Sequence, residues 1–88
     1  MVERRLVIKN KMGLHARPAA LFVETASRYD ANVTIDKDGL EVNGKSIMGV
    51  LMLAAEKGSE ITLRTEGRDE EEVSQALTDL LEGKFDEE

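Results

Sequence analysis

The chain has 88 residues with 18 acidic and 12 basic side chains, a formal net charge of −6, 3% aromatic residues and no cysteine. Disulfides, thiolate metal sites and thiol catalysis are excluded, and a reducing cytoplasm is the expected compartment. An acidic chain with few rings to stack on bases is a poor nucleic-acid ligand, and no apolar run reaches the length of a membrane span, so the expected partner is another protein.

Eighty-eight residues suit a single domain, 1–88, able to bury roughly 60–65% of its unfolded surface. The amino terminus lacks the apolar stretch of a signal peptide. Residues 2–9 put Val2, Leu6 and Ile8 on one side of an extended segment, and Asn10 with Gly13 ends this first strand. A helix is predicted over about 16–27, with Ala19, Phe22, Val23 and Ala26 at the three-and-four spacing of one face.

Val33 and Ile35 alternate with Thr34 and Asp36, and Leu40 and Val42 alternate with Glu41 and Asn43. Between the two runs, Asp38-Gly39 is a two-residue hairpin turn. Ser46 is a natural N-cap for a short helix from Ile47 to about Leu53. Ile61 and Leu63 alternate in a fourth strand closed by Gly67. Asp69, with Glu72 three residues on, predicts a capping box for a last helix whose stripe is Val73, Ala76, Leu77, Leu80 and Leu81, stopped by Gly83. The acidic runs Asp69-Glu70-Glu71-Glu72 and Asp86-Glu87-Glu88 read as a helix start and a solvated tail. The order is β-α-β-β-α-β-α, and one-sided apolar strands suit an antiparallel sheet with helices on one face.

The chemistry concentrates where the first helix begins. Gly13-Leu14-His15-Ala16-Arg17-Pro18-Ala19 holds the only histidine, at or beside the predicted N-cap. Pro18 is harmless in a first turn, where its missing N–H would have had no partner. The amides of Ala16 and Arg17, the positive helix end and the Arg17 guanidinium converge as they would around a phosphate. An imidazole, in good part unprotonated at neutral pH, is a nucleophile inside that anion site. One histidine with no cysteine and no patterned carboxylates does not make a metal site, and neither metal nor cofactor is expected.

This motif resembles the active-site sequence of the HPr family, the histidine-containing phosphocarriers of the bacterial phosphoenolpyruvate-dependent sugar phosphotransferase system. Lys45-Ser46-Ile47-Met48-Gly49-Val50 resembles that family's regulatory serine site. The resemblance spans essentially the whole chain. It implies an α+β open-faced sandwich with strand order 1-4-2-3 and three helices on one face. It also implies a carrier rather than an enzyme: His15 accepts a phosphoryl group from Enzyme I at Nδ1, Arg17 and the backbone of Ala16 and Arg17 steady it, and an enzyme IIA domain receives it.

By the same resemblance Ser46 is phosphorylated by a dedicated ATP-dependent kinase, the HPr kinase/phosphorylase. Ala20, Ile47, Met48 and Leu51 form the partner surface beside His15 and Arg17. The helix after Ser46 is apolar nearly all round, and a short helix on a sheet buries about half of such residues. Val50 and Leu53 are assigned to the core, leaving adaptable methionine on a docking face. A monomer is expected.

Three alternatives stay open. Asn10-Lys11-Met12, Leu51-Met52-Leu53 and the Phe85-Asp86-Glu87-Glu88 ending resemble the nitrogen-regulatory branch of the family. A regulatory interaction module acting through Ser46 alone would need no histidine. Nor would an anion-binding domain that forms no covalent bond.

Overall fold

The computed structural model describes residues 1–84. The acidic ending Asp86-Glu87-Glu88, read above as a solvated tail, lies outside the described residues. Along the chain run β1 (Val2–Val7), α1 (Ala16–Ala26), β2 (Asn32–Lys37), β3 (Leu40–Asn43), α2 (Ile47–Met52), β4 (Glu60–Glu66) and α3 (Glu70–Asp79), then a π-helical turn, Leu80–Lys84. The strands form one antiparallel sheet in the order β1-β4-β2-β3, as expected from the family resemblance.

Register follows from the period-two pattern. Leu6 lies opposite Ile61 and Arg4 opposite Leu63, while Ile35 faces Leu63 on one side and Val42 on the other. One row of side chains therefore points to a single face across all four strands. On that face Ile8, Ile35, Ile61 and Leu63 pack with Phe22 of α1, Val50 of α2, and Val73, Leu77 and Leu81, all at most 1% exposed. Arg4, half-buried, donates to the Thr78 hydroxyl at 3.3 Å and ties β1 to α3.

The sheet's other face is polar. Arg64 reaches Glu41 at 3.1 Å and Glu3 at 3.7 Å, linking β4 to both edge strands. Asp38 (φ 53°) and Gly39 (φ 87°) form the expected hairpin turn, with Lys37 opposite Leu40.

Two expectations about α3 need correction. Asp69 occupies the N-cap but makes no capping bond with its side chain. Its carboxylate instead accepts the backbone N–H groups of Asp30 at 3.0 Å and Ala31 at 2.8 Å, stitching the start of α3 to the end of the α1–β2 connection. Glu70, not Glu72, reaches back, accepting from the N–H of Gly67 at 3.0 Å. Nor does Gly83 stop the helix: it sits inside the π-helical turn, where complete burial of Leu81 outweighs the helix-breaking tendency of glycine.

Candidate functional site

α1 begins at Ala16, and His15 is its N-cap, with extended backbone (φ −95°, ψ −169°) and no capping bond from the imidazole. The His15 carbonyl accepts the N–H of Ala19 at 2.9 Å, so helix geometry fixes the residue's backbone while its ring stays exposed. Pro18 and Ala19, directly beneath, are buried against the core together with Phe22. In a first turn the Ala16 and Arg17 amides have no carbonyl within the helix to accept them, and Pro18 has no amide to offer.

The loop before His15 is held from two sides. Buried Asn10 donates from Nδ2 to the Gly13 carbonyl at 2.6 Å, and the Gly13 N–H returns to the Asn10 carbonyl at 3.1 Å. The Leu14 N–H then donates to the carbonyl of Ala55 at 2.8 Å. Gly13 is required twice over: its φ is +66°, and a Cβ there would stand 2.5 Å from the Ala55 oxygen. In the sequence, Asn10 ends a strand and forms part of the resemblance to the nitrogen-regulatory branch, with no role for its side chain in the site. An Asn three residues before a Gly is compatible with an internally bonded turn, but its burial was not visible in the pattern.

His15, Ala16, Arg17 and Pro18 share with Met12 a hollow of about 350 Å³. A second hollow of about 300 Å³ runs from His15 and Ala16 to Leu51, Ala54, Ala55 and Glu56, with Met12 and Leu14 also lining it. Among the described residues no ion pair holds the Arg17 guanidinium. The arrangement is an exposed ring nitrogen beside free helix-start amides and an uncommitted cation, open enough for a large partner to reach. Among the described residues no group of three or more His, Cys, Asp or Glu side chains could hold a metal ion.

Ser46 caps α2, its Oγ accepting from the Gly49 N–H at 3.0 Å, as its place in the sequence predicts. Val50 and Leu53 are buried, again as predicted, and Ile47 (46%), Met48 (69%) and Leu51 (37%) are exposed. Ala20 is exposed one turn along α1 from Ala16. Leu51 reaches the histidine's hollow, whereas Ser46, Ile47, Met48 and Ala20 line neither hollow. Two further methionines are exposed: Met12 (53%), which lines both hollows and has no place in the site expected from the sequence, and Met52 (63%), which the sequence leaves with the exposed methionine of α2 without naming it as a partner contact. The spacing of Met48 and Met52, one helical turn apart, could have flagged the second of them.

The family described as the PTS HPr component phosphorylation site matches residues 2–83. Phosphocarrier protein HPr of Xylella fastidiosa is 48% identical over 87 residues, 99% of this chain and 98% of its own length. HPr-like protein Crh of Halalkalibacterium halodurans is 54% identical over 82 residues, 93% of this chain and 98% of its own. The crystal structure of HPr from Thermoanaerobacter tengcongensis is 53% identical, with a TM-score of 0.95 over 100% of this chain and 99% of that one. That protein has also been crystallised as a dimer, which matches with a TM-score of 0.77 over 97% of this chain and 98% of that one. Sequence over nearly the full length and fold thus agree: the chain belongs to the HPr family of phosphotransferase-system phosphocarriers.

Proposed function

We propose that His15 is the phosphoryl acceptor, charged by phospho-Enzyme I and discharged to an enzyme IIA domain, in the cytoplasm and without a catalytic cycle of its own. The observation that carries this reading is the exposed, uncapped His15 ring at the start of α1, next to Arg17. In transfer, the lone pair of Nδ1 attacks phosphorus, the bond from phosphorus to the donor side chain breaks, and the donor leaves with that electron pair. The free amides of Ala16 and Arg17 and the Arg17 guanidinium stabilise the charge on the phosphoryl oxygens. With one cation and a helix end, and no enclosing walls, the site holds the group while leaving it open to the next acceptor.

Partners dock, on this reading, over Ala20, Ile47, Met48 and Leu51. A phosphate on Ser46, added by an HPr kinase/phosphorylase, places about 1.5–2 negative charges beside Ile47 and Met48. It gains only about 0.3–1 kcal/mol from the helix end, too little to refold the chain, so inhibition acts by repulsion at the interface. The carrier works as one copy; because HPr of T. tengcongensis also crystallises as a dimer, light scattering in solution is the check.

The test is incubation with phosphoenolpyruvate and Enzyme I proteins from the sugar and nitrogen branches, following intact mass and acid lability, with His15→Ala as control. One acid-labile phosphoryl group, absent in the control, is expected, and the donor that works assigns the branch. The similarity to Crh favours one second reading, a regulatory module acting through Ser46. Kinase phosphorylation of Ser46 with no transfer to His15 from any donor would establish that reading instead.

A further inference from the structure

The chain contains four methionines and no cysteine, so its sulfur redox chemistry is confined to thioethers. All four lie at the surface: Met1 (66%), Met12 (53%), Met48 (69%) and Met52 (63%). None is used in the core, which is filled by Ile, Leu, Val, Ala and Phe. One of the four lies at the candidate site, and two more lie on the helix whose Leu51 borders it. Met12 lines both hollows that contain His15, and Met48 and Met52 stand one turn apart on α2, flanking Leu51, which lines one of those hollows.

We propose that Met12, Met48 and Met52 form an oxidation site through which a hydroperoxide uncouples the chain from its phosphoryl donor. The proposal rests on the carrier reading above. A thioether lone pair attacks one peroxide oxygen, the O–O bond breaks, an S–O bond forms, and with hydrogen peroxide the second oxygen leaves as water. Sulfur loses two electrons and the peroxide gains them. Exposure gives the oxidant access to all three sulfurs.

The sulfoxide turns an adaptable apolar side chain into a strong dipole whose oxygen holds water. That water must be stripped when an apolar partner surface closes over α2 and the loop carrying Met12. Because no methionine is buried, oxidation leaves the core untouched. The loss falls on docking alone, and a methionine sulfoxide reductase reverses it.

The test treats the full chain with hydrogen peroxide and locates each added oxygen by peptide mass. Thermal unfolding and the initial rate of phosphoryl acceptance from phospho-Enzyme I are then measured before and after treatment. A fall in rate on the order of tenfold is expected, with an unchanged melting temperature and recovery after incubation with the reductases. The triple variant M12L/M48L/M52L is compared with itself, and peroxide should leave its rate where it was, although Met1 still oxidises.

Undiminished transfer by the fully oxidised protein overturns the proposal, as does an equal loss in the triple variant. Failure of the untreated protein to accept a phosphoryl group from any donor overturns the carrier reading and this proposal with it. Normal transfer before treatment keeps the two failures apart.

Discussion

The N–H of Leu14 donates to the carbonyl of Ala55 at 2.8 Å, so the residue next to His15 hangs from the segment that follows α2. The histidine loop and the exposed apolar helix are thereby one mechanical unit, although Leu14 and Ala55 lie 41 positions apart in the sequence. Gly13→Ala should break this unit. The methyl group meets the Ala55 oxygen at 2.5 Å and the Glu56 Cα at 2.8 Å while φ stays at +66°. A loss of about 2–4 kcal/mol is expected in denaturant unfolding, with slower phosphoryl acceptance. An unfolding midpoint equal to that of the parent would show that the loop is not so held.

Ala54, which follows the C-cap of α2, has φ 50°, a conformation that favours glycine. Relief of about 1–2 kcal/mol of strain in Ala54→Gly exceeds the roughly 0.5–1 kcal/mol of added chain entropy. The melting temperature should rise by a few degrees. A fall would mean that the alanine methyl group contributes more by packing than it costs in strain.

Ser46 separates stability from regulation. Ser46→Ala loses the Oγ bond to the Gly49 N–H and should cost about 0.5–2 kcal/mol. Ser46→Asp keeps a capping oxygen and should remain near the parent's stability. If charge at this position opposes docking, the aspartate variant accepts phosphoryl groups slowly while the less stable alanine variant accepts them at the parent's rate. Equal rates in the two variants would refute inhibition by repulsion.

Met48→Asp and Val50→Asp lie two positions apart and should behave oppositely. Met48 is 69% exposed and Val50 fully buried. The first should shift stability by no more than about 0.5 kcal/mol and weaken binding to Enzyme I, measured by calorimetry; the second places a charge in the core and should prevent folding. Strong destabilisation by Met48→Asp would place that side chain in the core.

Acid should loosen the start of α3. The Asp30 N–H, assisted by those of Ala31 and Asp69 and by the Arg68 charge, holds the Asp69 carboxyl below its ordinary range against the opposing effect of desolvation. The Gly67 N–H and the amino terminus do the same for Glu70. Both groups ionise more readily in the folded chain than in the unfolded one. The stability they contribute is therefore complete above the unfolded carboxylate pKa of about 4 and is lost as pH falls through their lower folded values. Melting temperatures from pH 7 to pH 3 should drop below about pH 4, with a shallower drop in Asp69→Asn.

Local patterns carried the strands, the hairpin turn, the Ser46 cap and the division of α2 between buried Val50 and exposed Met48. Each depends on residues within a few positions of one another. Asp69 shows where local reading stops. Its spacing to Glu72 fits a capping box, yet its carboxylate goes to amides nearly 40 positions earlier, a choice settled only when α3 packs beside the end of α1. The role of Asn10 and the gathering of Met12 with α2 likewise exist only after the loops fold together. Gly83 failed as a stop signal because burial of Leu81 governs that turn.

The bare face of the sheet, with its Glu3–Arg64–Glu41 bridge, lies across the strands from the helices. Thr62 projects there between Arg5 and Asp36, its register neighbours, and a cysteine at that position would be the chain's only thiol. A fluorophore attached at Thr62→Cys would ride on the side opposite the helix layer. Docking and release could then be followed one molecule at a time without placing the label on the proposed docking surface.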